Sequence, residues 1–176
     1  MVIYTHAETS FYENNHQICQ GIQKGFEEQQ IDLNGVCHGY GYDLSAEFSR
    51  GKYTYSIKYV KRQTTQNGII IPRDSHEYIG VVLTVKGIQK SGSLKIGQSR
   101  LYRSFTKSAI KRNLPSPYYG SINDSLYDAI QVHDLFRFIK DQKIDRLQLK
   151  GSTLEVIRHS PSEPLKWVDL IAYIFG

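Results

Sequence analysis

The sequence is poor in sulfur, with two cysteines, Cys19 and Cys37, and a single methionine. Two cysteines make neither a disulfide framework nor the paired spacing of a zinc site. A reduced, cytoplasmic setting is therefore expected, with one Cys19–Cys37 bridge left open. No run approaches the ~18 apolar residues of a membrane span, so no transmembrane segment is expected. The opening stretch MVIYTHAETS has no basic n-region and no apolar h-region, and it does not read as a signal peptide. HExxH, GxSxG and CxxC are all missing. Gly35, Gly39 and Gly41 precede a strand pattern and do not open a helix, which excludes the Rossmann and P-loop contexts. A bulge or a close approach of backbone explains Gly39 and Gly41 better. Finally, no Asp or Glu occurs between Glu77 and Asp124.

That last absence belongs to a larger asymmetry. Residues 48–123 hold fourteen Lys or Arg against two acids, Asp74 and Glu77. Residues 1–47 carry seven acids and one base, Lys24, while residues 124–176 are nearly balanced, with eight acids and seven bases. The net charge of +5 is thus segregated along the chain, which points to an anionic partner without naming one. Thirteen tyrosines against one tryptophan is the other bias. Tyr joins an apolar ring to a hydroxyl and suits half-buried strands and binding surfaces alike.

At 176 residues the expectation is one domain, 1–176, burying roughly 70% of its unfolded surface. Ser10 and Glu13 fit a capping box, and Phe11, Ile18, Ile22 and Phe26 recur at helical spacing over residues 10–30. From Tyr40 to Arg62 the residues alternate. A turn at Arg50-Gly51 places Phe48 opposite Tyr53, Ala46 opposite Tyr55, Leu44 opposite Ile57 and Tyr42 opposite Tyr59, with Asp43 across from Lys58. Asn67-Gly68 signals a further hairpin into Ile69–Ile71, and residues 78–86 read as a central strand. Residues 87–97 read as loop and residues 123–141 as one helix. A hairpin turning at Gly151-Ser152 pairs Leu149 with Leu154 and Leu147 with Val156, and Pro164 opens a last helix to residue 175. The expected class is α+β: an antiparallel sheet built from hairpins, with amphipathic helices packed on one face.

Residues 99–112 (SRLYRSFTKSAIKR) read as a helix capped by Ser99 and stopped by Pro115. At about 100° per residue, Arg100, Arg103, Lys107 and Lys111 fall within roughly 80° of one another, opposite Leu101, Tyr102, Phe105 and Ala109. Lys95 and Arg112 widen the stripe. Most charged helix faces only solvate, but ordinary ones intersperse acids for i,i+4 pairing and this one has none. Tyr53, Tyr55 and Tyr59 resemble a base-stacking platform in composition, yet the hairpin register turns them to the core. The opposite face carries Lys52, Lys58 and Arg62, the side chains a phosphate backbone would meet.

Catalytic readings are weaker. Adjacent Cys37 and His38 point to opposite faces of a strand and do not form a nucleophile–base pair. His133-Asp134 lacks the partner histidines of a metal-dependent phosphohydrolase. Asp74, His76 and Glu77 sit in an expected polar turn. The expectation is a non-enzymatic binding protein, with no cofactor and no metal, whose basic surface meets nucleic acid. An accessory or inhibitor subunit docking on an acidic protein is the alternative, with self-association through the acidic N-terminal helix a further possibility. A metal-dependent nuclease using Asp74, Glu77 or Asp43 ranks third.

Overall fold

The computed structural model describes residues 1–5, 12–62, 78–98, 114, 117–160 and 163–176. Chain order among these residues is β1 (Val2–Tyr4), α1 (Tyr12–Glu27), β2 (Asn34–His38), β3 (Gly41–Arg50), β4 (Tyr53–Arg62) and β5 (Tyr78–Lys86). Then come β6 (Leu94–Gly97), β7 (Tyr119–Ile122), α2 (Asp124–Ala129), α3 (Val132–Asp141), β8 (Arg146–Lys150), β9 (Thr153–Arg158) and α4 (Leu165–Phe175). The strands form one sheet in the order β1-β2-β3-β4-β5-β9-β8-β6-β7, with β1 parallel to β2 and the sheet mostly antiparallel. The α+β class holds, and β5 is central as expected. The strand expected after Asn67-Gly68 and the helix expected at 99–112 lie outside the described residues.

The described chain groups into two compact units. Unit 1 takes Met1–Phe48, Ser56–Val81 and His159–Glu163, and unit 2 takes Ser49–Tyr55, Val82–Arg158 and Pro164–Gly176. In unit 1, α1 buries Asn15, Cys19 and Phe26, while Ile18 and Ile22 are only half-buried. The inward stripe is therefore rotated by about 40° from the one that apolarity alone selects. The helix closes at Glu27 because Gln30 takes a left-handed φ of 56°, with Gln30 N–H bonded to Glu27 O and Ile31 N–H to Phe26 O. This is the Schellman pattern, here without its usual glycine. Phe26 meets the Tyr59 ring edge-on at 6.0 Å.

The β3–β4 hairpin turns one residue later than expected. Strand β3 ends at Arg50 and β4 begins at Tyr53, so the turn is Gly51-Lys52, with φ 59° at Gly51. A two-residue II′ turn needs positive φ at its first position, which glycine adopts freely and Arg50 does not. The pairing consequently slips by two. Ser49 Oγ lies 3.4 Å from Thr54 Oγ1, and Gly41 sits so close to β4 that an added Cβ would stand 1.9 Å from Lys61 O. A slip of two preserves which face each side chain occupies. Tyr42, Leu44, Tyr53, Tyr55, Ile57 and Tyr59 are accordingly all buried.

Unit 2 matches the second expected hairpin: Leu149 pairs with Leu154 and Leu147 with Val156 about Gly151-Ser152. Strand β6 pairs with β8 and β7, so the segment read as loop contains a strand. The helix read over 123–141 is two helices. Asn123 Oδ1 caps α2 by accepting from Leu126 N–H at 3.0 Å. Ile130 then adopts extended geometry (φ −126°, ψ 165°) and Gln131 N–H bonds to Ile174 O of α4. No Gly or Pro marks the break. Its physical reason is burial, since both Ile130 and Val132 turn inward. Trp167 packs edge-on against Phe138 at 5.9 Å, and Tyr53 Oη and Tyr55 Oη donate to Phe175 O and Val168 O of α4.

Two predictions follow from these packing details. Helix α3 also ends in a Schellman pattern, with Lys143 at φ 49° and Ile144 N–H bonded to Ile139 O. Replacing Lys143 by Gly should relieve left-handed strain and stabilise the protein by about 0.5–1 kcal/mol in denaturant titration; a lower midpoint would contradict the assignment. Burial pushes the phenol of Tyr55 up to about 12 and raises those of Tyr59 and Tyr118 above their usual value of 10.0. Below that usual value both folded and unfolded chains keep these protons. Above it the unfolded chain releases them first, so stability falls as pH rises from about 10 towards 12. Tyrosinate absorbance at 295 nm should rise together with loss of far-UV circular dichroism. Complete ionisation near pH 10 with intact dichroism would show that the rings are not buried as described.

Candidate functional site

Four of the nine expected cation positions fall among the described residues. Lys58 and Arg62 alternate on the outer side of β4, and both reach Asp43 of β3, with Lys58 Nζ–Oδ1 and Arg62 Nη2–Oδ2 each 3.3 Å. The slipped register puts Asp43 between the two cations, not directly across from Lys58. One half-exposed carboxylate therefore serves two exposed cations, leaving one net positive charge on this patch of unit 1. In unit 2, Lys52 Nζ stands 5.2 Å from the centroid of the Tyr53 ring, within cation–π range. Lys95 lies on β6 opposite Ser121 and Gln148. Arg100, Arg103, Lys107, Lys111 and Arg112 lie outside the described residues. Arg50, a further base of the central segment, pairs with Asp169 at 2.9 Å. Acids from the flanking thirds of the chain thus fold back on part of the basic segment.

A second cluster, not anticipated from the sequence, lies beneath α1 in unit 1. Asn15 has no exposed surface, and its Nδ2 donates to His38 O at 3.3 Å and Gly39 O at 3.1 Å. Its Oδ1 is buried and has no hydrogen-bond partner. One turn along, Cys19 lies close enough to Cys37 of β2 for the two thiols to influence one another, and neither has any exposed surface. Tyr4, the ladder partner of Cys37, meets His16 edge-on at 4.7 Å and donates from Oη to Gln23 Oε1 at 2.8 Å. Burial pushes the Cys19 thiol well above the ordinary cysteine range, with the nearby Lys61 charge pulling it back only in part, and burial raises Cys37 as well. At neutral pH both are thiols, so the pair has no nucleophilic thiolate to offer. The only sequence signal was the i,i+4 spacing of Asn15 and Cys19, which an apolar-periodicity reading passes over because Asn counts as polar.

Catalytic candidates gain no support among the described residues. Cys37 is buried and His38 half-buried with its Nδ1 accepting from Tyr40 N–H, so the two do face apart. His133 is exposed on α3, and Asp134 pairs with Arg137. No group of three or more His, Cys, Asp or Glu is placed to hold a metal among the described residues. Asp74, His76 and Glu77 lie outside them. No helix among them is long and apolar enough to cross a membrane. Comparison of the chain with protein-family models, with curated proteins and with solved structures finds no match. Any functional reading therefore rests on the residues themselves.

Asn15 is a test of the cluster's geometry. Asn15→Ala removes two donors from buried or half-buried carbonyls and should lower stability by about 1–3 kcal/mol in denaturant titration. A neutral result would mean that water or another group satisfies those carbonyls and that the amide does not position α1.

Proposed function

We propose that the chain is a non-enzymatic binding protein whose central basic region, residues 48–123, meets an anionic partner, with nucleic acid as the first choice. The observation that carries this reading is the segregation of charge: fourteen bases against two acids in that region, and no acid between Glu77 and Asp124. Segment 99–112, whose sequence pattern sets Arg100, Arg103, Lys107 and Lys111 on one side if helical, is the proposed centre of contact. The outer side of β4 supports it, because Lys58 and Arg62 exceed their shared acid by one charge. The helices pack on the tyrosine side of β4 in this reading, which leaves Lys58 and Arg62 accessible. The partner is met in the cytoplasm.

Fluorescence anisotropy of labelled single- and double-stranded oligonucleotides at two salt concentrations tests the proposal. Micromolar binding that weakens steeply with salt is expected, and the slope counts the phosphates engaged. Arg103→Glu with Lys107→Glu should abolish it with little change in Tm. Asp43→Asn should strengthen it a few-fold and steepen the salt slope, since it releases both Lys58 and Arg62 from their carboxylate. No binding at low salt would sink the nucleic-acid reading and favour an acidic protein surface as the partner.

A further inference from the structure

We propose that Cys19 and Cys37 are a modification site, forming an intrachain disulfide that ties α1 to β2. They are the only two cysteines of the chain, they come from different elements of unit 1, and both are fully buried within range of one another. Contacts that do not involve sulfur set their positions. One turn before Cys19, Asn15 is anchored to His38 O and Gly39 O, immediately past Cys37. On either side of Cys19, His16 and Gln23 both engage Tyr4, whose Cα partner in the ladder is Cys37. The helix is thus held at one point to the end of β2 and at two to the neighbouring β1 residue paired with Cys37, around the thiols. Two buried thiols flanked by these contacts are placed for bridging, and side-chain rotation is the movement that brings the sulfurs together.

The oxidant is a low-molecular-weight disulfide. A Cys37 thiolate attacks one of its sulfurs, forming a mixed disulfide and expelling one small thiolate. Cys19, after losing its proton, then attacks the Cys37 sulfur and expels the second. Two protein thiols and one small disulfide become one protein disulfide and two small thiols, and two electrons pass from the protein to the oxidant. Because burial keeps both groups protonated in the closed state, the exchange runs through brief local opening of α1. The pair consequently stays reduced where small thiols dominate and closes where they do not.

The test uses the full chain, equilibrated in buffers of reduced and oxidised glutathione and quenched with acid. Trypsin cleaves after Lys24 and Arg50, which places Cys19 on fragment 1–24 and Cys37 on fragment 25–50. The expected result is a linked pair of these fragments that separates on reduction, and an intact protein two hydrogen atoms lighter. The Tm of the oxidised form should be higher by roughly 5–10 °C, as the bridge restricts the unfolded chain. Cys37→Ser should abolish the linkage, but the wild-type measurement stands without it. Recovery of the two fragments separately, alkylated or each carrying glutathione, would overturn the proposal. So would a bridge that lowers Tm, because the bonded geometry would then not be the native one.

Discussion

Burial of the odd-numbered side chains of β4 is the constraint that most of the described structure answers to. Tyr53, Tyr55, Ile57 and Tyr59 carry almost no exposed surface, and each tyrosine brings a hydroxyl that must find a partner or remain protonated in an apolar setting. In unit 2 the first two hydroxyls are satisfied by carbonyls of α4, Phe175 O and Val168 O. In unit 1 the Tyr59 ring instead receives the edge of Phe26. A one-residue slip of the hairpin would turn all four side chains outward. The observed two-residue slip leaves them inside, which is why the glycine preference at the turn prevails without cost to the core.

Long, strictly alternating segments were legible in the sequence, and short ones were not. Strands β3, β4 and β5 and the β8–β9 register were recoverable because ten-residue and hairpin-linked patterns tolerate few alternatives. Strands β1, β6 and β7 have only three or four residues, too few for a period to show, and β6 ends on Gly97 inside a Gly-flanked stretch. The break between α2 and α3 carries no local signal, because its cause is a tertiary preference for burying Ile130. Helix α1 was found at the right place, with its inward stripe sharing Phe26 but turned towards Asn15 and Cys19. Polarity scales cannot see that Asn15 is the side chain with carbonyls to reach.

The two sides of the candidate chemistry differ in the same way. Positive charge is countable along a sequence, yet its effect is set by which acids fold back upon it. Asp43 and Asp169 come from outside the basic segment and engage three of its members, Lys58, Arg62 and Arg50. The thiol pair is the converse case. Eighteen positions separate Cys19 from Cys37 along the chain, and nothing in their spacing announces that a helix and a strand bring them together.

Trp167, the single tryptophan, has a consequence for how the folding of this chain can be followed. It lies in unit 2, is 1% exposed, abuts Phe138, and donates from Nε1 to Gln142 Oε1 at 3.2 Å. Its emission reports the packing of α3 against α4. Both sulfhydryls lie in unit 1 and are shielded there. Nature has thus supplied one optical probe and one chemical probe, each confined to its own half of the contact map. Coincident transitions of fluorescence and thiol labelling would identify a single cooperative unit, and separated ones would resolve two, without any engineered label.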